Sequence, residues 1–181
     1  MTKAWMYACV AALALTACDN KTAAPTSEKA AEAAGDKTLA TGLGDDAKFA
    51  AAIKAAGLEG VLAGPTPYTV LVPNDAAFDK LPAGTADTLM KPEGRKELTA
   101  VLTNHILPGT MLAADIGKAV DAGGGKTQIA TLGGGTLTAS RSGESIVLTD
   151  AAGGRATVMG GDSQRSNGVI HHIDAILMPS T

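Results

Sequence analysis

The spacing of apolar positions in the first part of the chain predicts helices. Phe49 and Ile53 are four residues apart in an alanine-rich segment, and this spacing places apolar side chains on one helical face. Asp45 or Asp46 is expected to cap the helix at its start, and Gly57 is expected to end it. The segment therefore predicts an amphipathic helix that packs one face against a core.

A short apolar run follows, and its residues favour a strand. Residues 68–72 read YTVLV, which is rich in β-branched and aromatic side chains and stops at Pro73. Asn74 or Asp75 then offers a side-chain oxygen to the start of a short helix, which is expected to reach Leu81. We therefore predict a buried strand that leads directly into a capped helix.

Two further helices are predicted before the pattern changes. Pro92 suits the first turn of one of them. Proline lacks a backbone N–H, but the N–H groups of a first turn have no acceptor within the helix. A second helix is expected over residues 112–120, and the run of three glycines at residues 123–125 is expected to end it. The first of the two has an apolar face at spacing i, i+3, i+4, i+7 that comprises Leu98, Val101, Leu102 and His105. This histidine is therefore expected to point inward.

The second part of the chain is dominated by short runs typical of strands. They are separated by glycine-rich turns and cover residues 126–132, 136–141, 145–149, 156–159 and 169–177. Helices come first and strands come mostly later, which is the order expected of an α+β domain. The chain of 181 residues is long enough for one such domain with its own core.

The start of the chain has a different pattern, which indicates export. Lys3 precedes an uncharged run that is too short to span a membrane, as in a secretory signal peptide. The run ends in the sequence LTAC, which resembles the lipobox of bacterial lipoproteins, whose cysteine is lipidated before cleavage. We therefore predict a signal peptide at residues 1–17 and a lipid anchor at Cys18 that attaches the protein to a membrane of the cell envelope.

A polar segment separates the predicted anchor from the domain. Residues 18–38 carry no large apolar side chain that could offset the entropy cost of ordering, so they are expected to form a flexible tether. The domain itself is expected to occupy residues 39–179. Asp19 follows the lipidated cysteine, and an aspartate there resembles the signal that retains lipoproteins in the inner membrane of enteric bacteria.

Charge and composition exclude several classes of function. The formal net charge is −3 and no long basic run occurs, which argues against nucleic acid because phosphate binding needs clustered cations. Aromatic residues make up only 3% of the chain, so few stacking platforms exist for bases or sugars. Cys9 leaves with the signal peptide, so no disulfide and no cysteine-based metal site is expected in the mature domain. No cofactor is predicted.

Three blocks, in order along the chain, resemble the signature of the fasciclin (FAS1) domain family. The first is TVLVPNDAAF at residues 69–78, the second is NHILPG at residues 104–109, and the third is SNGVIHHIDAILMP at residues 166–179. We expect structural roles, such as helix caps and turns, at the positions that match the family motifs. These positions are Thr69, Pro73, Asn74, Asp75, Phe78, His105, Asn167, Gly168, His171 and Asp174.

The resemblance implies both a fold and a class of function. The fold is a wedge-like β-sandwich of about seven short strands flanked by several helices. Domains of this family bind extracellular proteins or matrix, and some bind polysaccharide or membranes, with no shared enzyme activity or cofactor. The resemblance therefore implies a non-catalytic adhesion module whose partner is a protein or polysaccharide of the envelope or the extracellular matrix.

Two positions depart from the family pattern. Asn104 stands where the family usually has a tyrosine before the central histidine, and that tyrosine–histidine pair is linked to integrin-type adhesion in animal members. His172 stands where an aliphatic residue is usual. The resemblance still implies partner binding near Asn104, His105 and the loop that follows them, because the adhesive residues of relatives lie there.

The positions of His171 and His172 argue against metal binding and against catalysis. The two-residue period of a strand places His172 and Asp174 on one face and His171 on the other, so the three cannot form one metal site. The triplet Gly161-Asp162-Ser163 resembles part of an esterase motif, with His172 and Asp174 as nominal triad partners. Because this histidine and aspartate share a strand, they are poorly arranged to relay a proton from a separate serine. We predict no catalytic residue and no metal ligand.

One alternative function remains open. In this alternative, the chain is a periplasmic accessory protein that is tethered to the inner membrane and takes part in envelope or secreted-protein handling. Asp19 is the main support for that interpretation.

Overall fold

The computed structural model describes residues 37–80 and 84–179. The predicted signal peptide at residues 1–17, the lipidated Cys18 and nearly all of the tether at residues 18–38 lie outside the described residues. So does Leu81, the expected end of the short helix that follows the first strand.

The described helices are mostly short and fall in the first two thirds of the chain. Their bounds are α1 Leu39–Gly42, α2 Ala47–Ala56, α3 Glu59–Ala63, α4 Asp75–Asp79, α5 Thr85–Met90, α6 Arg95–Asn104 and α7 Ala113–Ala122, with 3-10 turns at Leu43–Asp45 and Pro92–Gly94. Gly57 ends α2 in the left-handed conformation with φ 76°, as predicted, and its amide donates to the last carbonyls of the helix.

Seven described strands form a sheet in the order β2-β1-β7-β6-β5-β4-β3. Their bounds are β1 Tyr68–Pro73, β2 Ile106–Pro108, β3 Lys126–Ala130, β4 Thr136–Ser142, β5 Ser145–Thr149, β6 Arg155–Arg165 and β7 Gly168–Ile173. All neighbouring pairs are antiparallel except β1 and β7, which run parallel. The amide of Leu132, just after β3, donates to the carbonyl of Ile106 in β2, so the two ends of the sheet nearly meet.

Two apolar cores result from this curled sheet and its helices. One lies between the helices and the sheet and includes Phe49, Ile53 and Val70. The other lies inside the curl, where the two halves of the sheet pack on each other and on α7, and it includes Leu71 and Leu137. Successive residues of β1 enter different cores because strand side chains alternate between faces. The fold is the predicted α+β arrangement of about seven strands flanked by helices.

Some predicted boundaries differ from the structure. The side chain of Asp46 makes no capping bond to α2, because its carboxylate accepts a bond from His172 instead. Strand β6 does not stop at Met159 but continues to Arg165 through a bulge in which Gly160 has φ 72°. Strand β7 ends at Ile173, not at residue 177, because the following residues turn to bond with other parts of the chain.

Four short elements have no counterpart in the sequence analysis. They are the helices α1, α3 and α5 and the three-residue strand β2. Each is too short for a periodic pattern to be recognised, and β2 exists only because β1 lies beside it. Tertiary contacts therefore decided these elements.

Candidate functional site

The side chains of the first family block, residues 69–78, hold β1 and the start of α4 in place. The hydroxyl of Thr69 donates to the carbonyl of Gly109 at 2.9 Å and accepts from the amide of Met111 at 2.8 Å. Pro73 is the last residue of β1, and the side chain of Asn74 caps α4 by accepting from the amide of Ala77 at 2.8 Å. These contacts commit the polar side chains of Thr69 and Asn74 to the fold of the domain itself.

The remaining two positions of this block differ in exposure. Asp75 opens α4 with an exposed side chain, so it is the first helical residue and not the cap. Phe78 is half-buried and packs against the helical core. Asp75 and Phe78 therefore border a surface between α2 and α4, to which Lys48 of α2 also contributes.

His105 points inward, as its helical spacing predicts. It is 1% exposed, its Nδ1 lies 2.8 Å from the carbonyl of Val101, and its Nε2 accepts from the amide of Leu177 at 3.0 Å. A ring nitrogen that accepts from an amide carries no proton, so Nδ1 is the donor and the ring is neutral. Burial lowers the pKa of His105 to about 4, although the bond to Val101 opposes this shift.

The side chains of Asn104 and His105 are both buried, so partner binding near them stays a prediction that concerns the exposed residues around them. Asn104 is 3% exposed; its Oδ1 accepts from Thr131 at 3.3 Å and its Nδ2 lies 3.5 Å from the carbonyl of Leu177. Asn104 therefore joins the end of α6 to the C-terminal segment inside the domain. The exposed residues here are Pro108, at the end of β2, and Thr110, in the loop that follows.

The closing block provides a buried polar junction. Asn167 is 8% exposed and makes three bonds of 2.7–2.8 Å: it accepts from the amide of Leu39 and donates to the carbonyls of Leu62 and Gly64. The predicted turn is present, but within residues 37–80 and 84–179 only glycines have positive φ. Asn167 therefore contributes through its side chain and not through a left-handed backbone. A Cβ on Gly168 would overlap the carbonyl oxygen of Tyr68, which explains the glycine.

The two histidines of β7 lie on opposite faces, as the strand period predicts. Nε2 of His171 lies 2.7 Å from the carbonyl of Met111, and its Nδ1 is 3.2 Å from Asp162 but not aligned for a hydrogen bond. His172, on the other face, is 36% exposed and lies 3.1 Å from the carboxylate of Asp46. His171 thus fixes the segment before α7, and His172 fixes the start of α2.

The nominal serine triad is not assembled. Asp174 follows β7 and accepts from the amide of Thr157 at 2.6 Å, while the partner of His172 is Asp46. Ser163 lies in β6 opposite Ile170. Because the histidine and the aspartate have different partners, they provide no proton relay to this serine.

Within residues 37–80 and 84–179, no group of three or more histidine, cysteine, aspartate or glutamate side chains converges as metal ligands would. None of the described helices is long and apolar enough to cross a membrane.

An apolar cavity beside His105 was not anticipated from the sequence. Its volume is about 320 Å³, and its lining includes Phe49, Phe78, Leu98 and Leu102. Lys48 lies at the rim, where its Nζ is 2.7 Å from Asp79. The apolar spacing in α2 and α6 could be recognised as helical, but it does not reveal a space that four separate helices leave between them.

Comparison with known proteins agrees with this architecture. A fasciclin domain family model matches residues 45–179. The chain is 35% identical to protein sll1483 of Synechocystis, over 81% of this chain and 71% of that protein. It is 36% identical to the transforming growth factor-beta-induced protein ig-h3 of Sus scrofa, over 72% of this chain but only 17% of that protein.

Two further similarities concern a bacterial relative and a solved structure. The chain is 33% identical to the cell surface glycolipoprotein MPB83 of Mycobacterium bovis, over 62% of this chain and 44% of that protein. The solved FAS1 domain pair from the insect cell adhesion molecule Fasciclin I has a TM-score of 0.61 at 18% identity, over 78% of this chain and 51% of that one. Since the family model covers most of the chain and the fold agrees, this chain belongs to the fasciclin (FAS1) domain family.

Proposed function

We propose that this chain is an exported, lipid-anchored FAS1 domain that acts as a non-catalytic binding module. Its partner is a protein or polysaccharide of the cell envelope or the extracellular matrix. The observation that carries this proposal is the internal use of the motif side chains: Thr69, Asn74, Asn167 and His171 all bond to backbone groups of the same domain. Side chains that are hydrogen-bonded inside the domain stabilise its fold and are not available to a partner, so we expect binding to use other, exposed residues.

The relatives support a role in adhesion at a surface. One is named as a cell surface glycolipoprotein, and the solved neighbour comes from a cell adhesion molecule. The sequence LTAC at the predicted cleavage site supports a lipid anchor in this chain. We propose that the tether carries the domain away from the membrane so that it reaches its partner.

The proposed contact surface lies on the exposed side of the central block. Leu132 is 40% exposed, and its amide bonds to the carbonyl of Ile106 in that block. The exposed positions nearby are Pro108, the last residue of β2, and Thr110 in the loop after it. Exposed apolar side chains beside polar ones are typical of binding surfaces, so Leu132 is the side chain that we expect a partner to cover.

Leu132→Asp is expected to weaken attachment to the isolated cell-envelope fraction at least tenfold, because a charge would have to be desolvated on binding. The measurement is retention of the protein on that fraction immobilised on a sensor surface. Met159→Asp is the matched control, since Met159 is 39% exposed and lies in β6. Equal loss in both variants, or no loss in either, would count against this surface.

Cys18→Ala is expected to stop cleavage after residue 17, because lipidation of the cysteine precedes cleavage, and gel mobility measures the longer chain. Incorporation of labelled palmitate into the chain should be lost at the same time. Cys9→Ala is the control, because Cys9 lies inside the predicted signal peptide and should leave both results unchanged. Palmitate incorporation that survives Cys18→Ala would contradict lipid anchoring.

The periplasmic alternative is distinguished by location. Inner and outer membranes are separated, and protease is added to intact cells. Digestion of the domain from outside supports adhesion to other cells or matrix. Protection of a chain found in the inner-membrane fraction supports the role of Asp19 and a periplasmic partner.

A further inference from the structure

The cavity beside His105 lies between four helices and has the size of a small-molecule site. Ala52 of α2, Phe78 of α4, Leu89 of α5 and Leu98 of α6 contribute to its wall. Its volume of about 320 Å³ falls within the range of roughly 300–1,000 Å³ found for ligand sites. A closed apolar cavity of roughly 150 Å³ admits benzene, so this space holds roughly twice as many carbon atoms.

The chemistry of the wall defines what part of a ligand can enter. The lining residues in the described part of the chain are apolar except for Lys48, Asp79 and His105. Both ring nitrogens of His105 are already engaged, one with Val101 and the other with Leu177. A hydroxyl or amide inserted beside this ring would lose its water without gaining a partner there, which excludes sugars and nucleosides from the interior.

The rim carries a different chemistry. Lys48 Nζ donates to the carboxylate of Asp79 at 2.7 Å and lies 3.3 Å from the carbonyl of Asp75. An ammonium group has three donor hydrogens, so one remains for a further acceptor. The side chain of Lys48 is 44% exposed and that of Asp79 is 73% exposed. An ion pair this exposed is weak, so a ligand carboxylate can share the ammonium or displace Asp79 from it.

We propose that this cavity binds a medium-chain fatty acid, with an alkyl chain of about ten to twelve carbons inside and the carboxylate on Lys48 at the rim. This site is independent of the proposed adhesive surface, because Leu132 does not line the cavity. The occupant is a single-chain acid because the interior is apolar apart from the ring of His105, whose nitrogens are engaged, and because the ammonium group of Lys48 lies at the rim, where the alkyl chain would emerge.

The test uses the mature chain, residues 18–181 with Cys18→Ala, which lacks the apolar signal peptide and the acyl chains and so needs no detergent that would itself enter the cavity. Dodecanoate is added below its micelle concentration, and binding is followed by titration calorimetry and by NMR of labelled methionine methyl groups. We expect one dodecanoate per chain. The signal of Met90, which lines the cavity, should shift, while that of the equally exposed Met159 should not.

Matched variants locate the two ends of the ligand. Ala52→Leu fills the cavity and should weaken dodecanoate binding at least tenfold, whereas Ala100→Leu, on the exposed side of α6, should leave it unchanged. Lys48→Gln should weaken dodecanoate binding roughly fivefold and leave the uncharged methyl ester unaffected. Circular dichroism establishes that each variant is folded.

Three results would overturn the proposal. The first is that dodecanoate gives no heat of binding and leaves the Met90 signal unmoved. The second is that the wild type and a folded Ala52→Leu variant bind dodecanoate equally well. The third is that the Met159 signal shifts as much as the Met90 signal. The methionine signals need no substitution in the domain, so the cavity assignment stays testable even if Ala52→Leu does not fold. Full affinity in Lys48→Gln would overturn the placement of the carboxylate.

Discussion

Replacing Asn167 with alanine is expected to lower the free energy of unfolding by about 4 kcal/mol, because it leaves two buried backbone groups and a half-buried one without partners. These are the amide of Leu39 and the carbonyls of Leu62 and Gly64. The loss releases α1 and the end of α3 from the start of β7 together. Urea unfolding followed by circular dichroism measures the change.

Ser166→Ala is the control for this prediction. Ser166 precedes Asn167, is exposed, and donates through its hydroxyl to the carbonyl of Lys37 at 3.2 Å. An exposed bond of this kind is readily replaced by water, so the control should cost less than about 0.5 kcal/mol. A loss below about 1.5 kcal/mol in Asn167→Ala would contradict the role assigned to this junction.

Acidification is expected to destabilise the domain through His105. Burial lowers its pKa to about 4 in the folded state, whereas the unfolded chain has the ordinary value of 6.5. The unfolded state therefore binds the proton first, so stability is complete above pH 6.5 and decreases as the pH falls towards 4. Over that window this one group accounts for a loss of about 3 kcal/mol. Protonation of Nε2 also removes the acceptor for the amide of Leu177.

The comparison with His105→Gln isolates this effect. Glutamine does not titrate, and its side-chain oxygen can still accept from the amide of Leu177. Unfolding free energies are measured from pH 7.5 to pH 4 for both proteins. Every other titratable group is common to the two proteins, so the difference between their profiles reports His105. Profiles that run parallel across the whole range would show that His105 is not the group responsible.

Local pattern was sufficient for the longer elements of this fold. The helical spacing of Leu98, Val101 and Leu102 predicted α6, and the β-branched run at residues 68–72 predicted β1. The same patterns predicted that His105 points inward and that His171 and His172 face opposite ways. These properties depend on side-chain periodicity within one element, which the sequence contains in full.

The candidate site could be predicted only in part. The family blocks indicated which residues matter, but Asn104 proved to be buried because Thr131 and the C-terminal segment close over it. Asp46 could serve as a helix cap on local grounds, yet it bonds to His172, which is 126 residues away. A preference within one helix cannot reveal such a partner, because the partner comes from another part of the chain.

The sequence by itself determined the class of this domain, the positions of its longer helices and strands, and its membership of the FAS1 family. Tertiary structure alone decided the near closure of the sheet, the three-way junction at Asn167 and the cavity beside His105. The reason is the range of the interactions. Periodicity and capping act within a few residues, whereas a cavity or a buried junction depends on how distant elements approach one another.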